Sequence, residues 1–148
     1  MSDDAERGAA LDWYRQAAGI VASAGARATV EVHAHGYAAS TPAAIEFVDE
    51  IDHPSLGVAL DTGNLHASAG GVGAGDVTRL GPRLFDVHVK DLRALPNAQG
   101  HTLQVGARHF RHTLLGEGDV RNDLVLDGLA DAAYDGWIAT ECECKWST

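Results

Sequence analysis

Cysteine is nearly absent: Cys142 and Cys144, one residue apart, are the two in 148 residues. A disulfide framework is therefore not expected, and reduced thiols fit a cytoplasmic setting. Basic residues are also scarce. Eleven Lys and Arg stand against 21 Asp and Glu, a formal net charge of −10. That argues against nucleic-acid binding, whose affinity comes from Lys and Arg neutralising phosphates. No apolar run approaches the roughly 20 residues of a membrane span, and the acidic opening Met1-Ser2-Asp3-Asp4 is unlike a secretory leader. Repeats at solenoid periods and extended low-complexity segments are missing. The stretch Gly70-Gly71-Val72-Gly73-Ala74-Gly75 lacks the Lys-Ser/Thr of a phosphate loop. What is present is a hydrophobic content of 45 %, ample for the core of one domain. The expectation is a soluble, intracellular protein that spans no membrane.

The order of elements can be read from periodicity. Residues 3–24 are helix-forming, with Leu11, Tyr14, Ala18, Val21 and Ala22 at helical spacing, and Gly25 ends the run. Ala28-Thr29-Val30-Glu31-Val32-His33 alternates as a strand. Ser40-Thr41-Pro42 pairs a hydroxyl cap with a first-turn proline, predicting a helix to about Ile51. Leu56 to Asp61 is a second strand, a short helix follows near Asp76 to Leu80, and Arg83 to Lys90 is a third strand. Residues 91–115 show no clear periodicity and read as a long active-site loop. A turn at Gly116-Glu117-Gly118-Asp119 leads to a helix over 122–133 and a last strand from Trp137 through Glu143. Strand-helix alternation of this kind predicts an α/β fold with four parallel strands and crossover helices.

Alternate strand residues point to opposite faces, so each strand divides in two. Val30 and Val32 oppose Thr29, Glu31 and His33; Val58 and Leu60 oppose Gly57, Ala59 and Asp61. Val87 and Val89 oppose Asp86, His88 and Lys90, with Leu84 offset; Ile138, Thr140 and Cys142 oppose Ala139, Glu141 and Glu143. A parallel sheet covered on both sides is apolar on both faces. Here one face carries acids and histidines four times over. Buried charges need partners or a metal, and Glu31, Asp61, His88 and Glu141 offer three oxygen ligands and one nitrogen. That donor set suits one divalent cation, Mn²⁺ first, with Mg²⁺, Co²⁺ or Zn²⁺ as alternatives. The competing reading makes each acid a solvated strand end or a helix cap.

At these residues the chain resembles the xylose-isomerase-like TIM barrel superfamily, which includes sugar phosphate isomerases, ketose 3-epimerases and inosose dehydratases. The matching stretches are Val30-Glu31-Val32-His33, Val58-Ala59-Leu60-Asp61-Thr62-Gly63-Asn64, Asp86-Val87-His88-Val89-Lys90-Asp91, Leu115-Gly116-Glu117-Gly118-Asp119, and Tyr134-Asp135-Gly136-Trp137-Ile138-Ala139-Thr140-Glu141. The resemblance implies the C-terminal half of a (β/α)₈ barrel, as a single half-barrel domain over 1–148, with Glu31, Asp61, His88 and Glu141 holding one metal on strands five to eight. It implies further that Glu31 and Glu141 exchange protons with a sugar or polyol carbon beside a carbonyl, and that His33, Asn64 and Lys90 contact the substrate.

Two departures qualify it. Many members carry His where this chain has Asn64, though asparagine also occurs there, and His66 reads as a loop residue. A complete barrel takes about 250 residues, so the material of strands one to four is missing. A homodimer, an N-terminal half-barrel partner chain and a fragment are three explanations, and a non-catalytic metal-binding remnant is an alternative function. A zinc-dependent abasic-site endonuclease fits less well, since its Asp-x-His is Gln99-Gly100-His101 here. His101, His109 and His112 read as solvated loop residues or contacts to an anionic substrate. Cys142 and Cys144 read as packing residues beneath a helix.

Overall fold

The computed structural model describes residues 4–144; the expected helix start at Asp3 lies outside the described residues. Helix α1 (Asp4–Ser23) packs Leu11 and Ala18 into the core and sets Tyr14 edge-on to Phe47, with ring centroids 5.3 Å apart. Strand β1 (Ala28–Glu31) leads to α2 (Thr41–Ile51), where Ser40 caps as expected, its hydroxyl accepting from the Ala43 amide at 3.3 Å. Next come β2 (Leu56–Asp61), α3 (Thr62–Ala69), α4 (Ala74–Leu80) and, after one 3₁₀ turn, β3 (Leu84–Val89). Strands β4 (Asp91–Leu95), β5 (Leu103–Val105) and β6 (Arg108–Thr113) precede α5 (Asn122–Asp131) and β7 (Trp137–Thr140).

The four strands β1-β2-β3-β7 form one parallel sheet in that order. Its register contains the irregularity on which the site depends. Val58 lies opposite Leu84, yet Ala59 lies opposite Asp86, so Phe85 is an extra residue in β3. A one-residue slip exchanges the faces of a strand. Without the bulge Val87 would oppose Asp61; with it, His88 does. The offset of Leu84 in the sequence is the trace of this bulge. Phe85 is accommodated because position 57 is glycine: a Cβ there would sit 2.4 Å from the Phe85 ring.

Residues 91–115 depart from the expected loop. They carry a second, antiparallel sheet in the order β4-β6-β5. Leu92 and Phe110, only 0 % and 3 % exposed, dock it onto the body, while Arg93 and Arg111 lie exposed across from each other. Helix α3 was also unexpected, and it places His66 in a helix rather than a loop, its ring edge-on to Phe110 with centroids 6.1 Å apart. Burial holds the His66 imidazole below the ordinary histidine range. Strand β7 stops at Thr140, short of the expected Glu143, although the Glu141 amide still donates to the Val89 carbonyl at 3.0 Å. Cys142 is exposed and Cys144 half-buried beyond that end, so neither is a packing residue beneath a helix. Among the described residues no helix is long and apolar enough to cross a membrane.

Candidate metal centre

The stretch Asp61-Thr62-Gly63-Asn64, where β2 turns into α3, assembles much of the site. Asp61 is wholly buried and caps α3, its Oδ1 accepting from the Asn64 amide at 2.7 Å. The Thr62 hydroxyl donates to the Lys90 carbonyl at 3.2 Å and accepts from the Lys90 amide at 3.1 Å, latching β2 to the end of β3. At Gly63 a Cβ would meet the Lys90 stem at 3.0–3.1 Å. The absent side chain therefore leaves the lysine stem room that even a methyl group would crowd. Asn64 donates through Nδ2 to Glu31 Oε1 at 2.9 Å, so one residue ties both carboxylates, the first through its side chain and the second through its backbone.

Donor atoms of Glu31, Asp61 and His88 lie within 4.8 Å of one another. Glu141 stands beside this group, its Oε1 3.2 Å from His88 Nδ1 and its Oε2 2.8 Å from Lys90 Nζ. The Lys90 ammonium also approaches Asp61 Oδ2 at 3.2 Å and Glu143 Oε1 at 3.1 Å. On the other side, His88 Nε2 lies 3.6 Å from Asp86 Oδ2. His33 is exposed, accepts weakly from the His35 amide at 3.4 Å, and lines a hollow of about 260 Å³ with Glu31, His35, Tyr37 and Phe47.

Burial raises the Asp61 carboxyl above the aspartate range, with the Asn64 amide and the Lys90 ammonium pulling the other way. Glu31 is raised by burial and then by the negative charge of Asp61. Burial pulls Lys90 down, but hydrogen bonds and charges from Glu141, Asp61 and Glu143 outweigh it and leave its pKa raised. The hydrogen bond from Lys90 holds Glu141 below the glutamate range.

A divalent cation fits the residues present. Asp61 Oδ2 and His88 Nδ1 are buried and make no hydrogen bond, their polar neighbours being the Lys90 ammonium and Glu141 Oε1, each at 3.2 Å; buried groups of this kind are paired with a charge or coordinate a metal. Both belong to residues of the cluster, which offers two carboxylates and an imidazole to a hard or borderline ion.

Two residues not expected in the site also sit here. Alternation places Glu143 on the face of Glu141 but gives it no role. The His112 side chain is 8 % exposed, with Nε2 3.2 Å from Glu143 Oε2 and Nδ1 2.7 Å from Thr102 Oγ1. It is not a solvated loop residue, and no one-dimensional pattern connects it to position 143.

A family profile described as xylose isomerase-like TIM barrel matches residues 2–147. Among curated proteins the chain is 30 % identical over 140 residues to the inosose dehydratase of Erwinia tasmaniensis, covering 90 % of this chain and 46 % of the relative. It is similar to the D-allulose 3-epimerase of a Methylomonas species (22 % identity, TM-score 0.73, covering 93 % of this chain and 42 % of the other). A xylose isomerase-like TIM barrel protein of Mycobacterium smegmatis in complex with magnesium gives 19 % identity and a TM-score of 0.76, covering 99 % and 47 %. The chain thus spans about half the length of the relatives it matches.

Proposed function

Because this chain belongs to the xylose isomerase-like TIM barrel family, we propose that it is the metal-holding half of an isomerase, epimerase or dehydratase acting on a sugar, sugar phosphate or inosose beside its carbonyl. The observation that carries the reading is the convergence of Glu31, Asp61 and His88 within 4.8 Å around a fully buried carboxylate. These three, with Glu141 completing the set, hold one divalent ion, Mn²⁺ first. When bound, such an ion supplies the Lewis-acid charge that makes a C–H next to a carbonyl acidic. The chain's own residues supply the rest. One of Glu31 and Glu141 accepts the proton from carbon as a carboxylate, and the other delivers a proton as a carboxylic acid. Asn64 orients Glu31, and Lys90 orients Glu141 through its 2.8 Å contact. Lys90, His33 and Asn64 meet the substrate's oxygens. The hollow lined by Glu31, His33 and His35 leaves room for a polyol chain.

The test has two stages. Protein purified without chelator should contain close to one equivalent of a divalent metal per site by elemental analysis. With Mn²⁺ added, the assembled barrel should exchange solvent deuterium from D₂O into at least one member of a panel of ketoses and inososes. Metal without exchange for any substrate would favour the non-catalytic metal-binding reading.

The working unit needs a second half-barrel. Strands β1 and β7 are the two ends of the parallel sheet, and β7 exposes Trp137 at 84 % and Ile138 at 44 %. An open strand edge with large apolar side chains associates unless covered. Two copies could pair β7 with β1 twice, but Glu31, Asp61 and Glu141 of both would then share one interior. A half-barrel with a less acidic interior avoids that repulsion. The 148-residue chain alone is expected to self-associate at micromolar concentration in sedimentation velocity. Adding a separately expressed N-terminal (β/α)₄ half of a relative should shift it to a one-to-one heterodimer. A stable, folded monomer would count against the need for any partner.

A further inference from the structure

The ion-pair network extends beyond the residues assigned to metal and proton transfer. Lys90 Nζ is shared among Asp61 Oδ2 at 3.2 Å, Glu141 Oε2 at 2.8 Å and Glu143 Oε1 at 3.1 Å. Two of these partners are the carboxylates that a divalent ion requires, and the third is not. Glu143 is held in turn. Its other oxygen, Oε2, meets His112 Nε2 at 3.2 Å, and His112 is fixed from behind by Thr102, whose hydroxyl lies 2.7 Å from Nδ1 and accepts from the His112 amide at 2.9 Å. The chain Thr102–His112–Glu143–Lys90 therefore runs from the antiparallel sheet to the edge of the metal centre.

We propose that Glu143 and His112 are positioning residues that anchor the Lys90 ammonium to one side of the site, so that Asp61 and Glu141 can take up the cation while the lysine stays at its rim. The inference rests on the metal-centre reading above. Its physical basis is a competition. A lysine with only Asp61 and Glu141 as partners would neutralise two of the ligands and oppose a second positive charge in their midst. A third carboxylate, itself tethered, gives the ammonium a place that the metal does not contest. The tether matters because Glu143 is 54 % exposed at its side chain, and an untethered exposed glutamate would spend side-chain entropy to stay in reach. His112 removes that freedom. The antiparallel sheet thereby supports the metal centre, since β6 carries His112 and Thr102 lies just ahead of β5.

Isothermal titration of the full chain with Mn²⁺ tests this. Glu143→Gln should weaken Mn²⁺ binding by about tenfold and His112→Leu by about threefold, the scale of one charge-assisted hydrogen bond and of its support. His112→Gln, which keeps a side-chain donor, should recover most of the loss. The decisive arm is the Lys90→Met background. Acting through Lys90, Glu143→Gln and His112→Leu should leave affinity there unchanged within about twofold. Removing a negative charge from the general neighbourhood would instead cost the same with or without Lys90, and that result would overturn the anchor. Should Lys90→Met fail to fold, judged by circular dichroism, the pair itself decides: His112→Leu must lose its effect when Glu143 is already Gln, and additive losses would refute the relay. Wild-type protein that takes up no divalent ion would sink the metal reading itself. Wild-type binding with unaffected variants would sink the anchor alone.

Discussion

Asp91→Ala is expected to destabilise the fold by about 3 kcal/mol, on the scale of leaving several buried amides without an acceptor. Asp91 is 1 % exposed and opens β4, one residue beyond the end of β3. Its Oδ1 accepts from the amides of Leu92 at 2.9 Å and Val120 at 3.2 Å, and its Oδ2 from those of Gly116 and Gly118, both at 2.9 Å. One carboxylate thus gathers the whole Gly116-Glu117-Gly118-Asp119 turn, and the turn delivers the chain to α5. Gly118 is part of the same device, since a Cβ there would lie 2.1 Å from Asp91 Oδ1. Asp91→Asn should lose most of the same stability, because its NH₂ group would face amide donors. Urea denaturation with a fixed m-value reads the loss directly; a cost below about 1 kcal/mol for the alanine variant would mean that water replaces the carboxylate.

The largest effect on chemistry is expected at Glu31 and Glu141. Each Gln variant should reduce deuterium exchange into substrate by at least about a hundredfold, the lower end of what a positioned acid or base contributes. Glu31→Gln keeps an oxygen for Asn64 Nδ2 to donate to, so its loss would come from the missing base and ligand charge rather than from collapse of the hydrogen bond. Glu141→Gln additionally removes the negative charge that faces Lys90 and His88 and should weaken metal binding more. Melting temperature measured alongside separates folding from chemistry. Undiminished exchange in both variants would exclude proton transfer by the two glutamates.

Much of this was legible before any coordinates. The alternation in Val30 to His33, in Leu56 to Asp61 and in Asp86 to Lys90 named the strands and their polar face, and Ser40-Thr41-Pro42 named the start of α2. The illegible parts share a cause. Helix α3 is eight residues with Gly63, Asn64 and Ser68 among them, poor helix formers stabilised here by the Asp61 cap, a role that the sequence offered only as the alternative to a ligand. Strands β4 to β6 are three to six residues long, and β6, Arg108-His109-Phe110-Arg111-His112-Thr113, has one apolar residue in six, so period two is faint. Glu143, His112 and Asp91 owe their placement to contacts across the fold. The bulge at Phe85 left one mark, an out-of-phase Leu84, and its effect on His88 emerges only from the register.

The contact between positions 63 and 90 has an evolutionary corollary. A Cβ at position 63 would sit 3.0–3.1 Å from the lysine stem, so any larger residue there asks the stem to yield by a few tenths of an ångström. The two positions are therefore expected to change together. A lineage that enlarges residue 63 gains most by shortening residue 90 with it, and while the lysine remains, glycine is the residue that fits without displacing it.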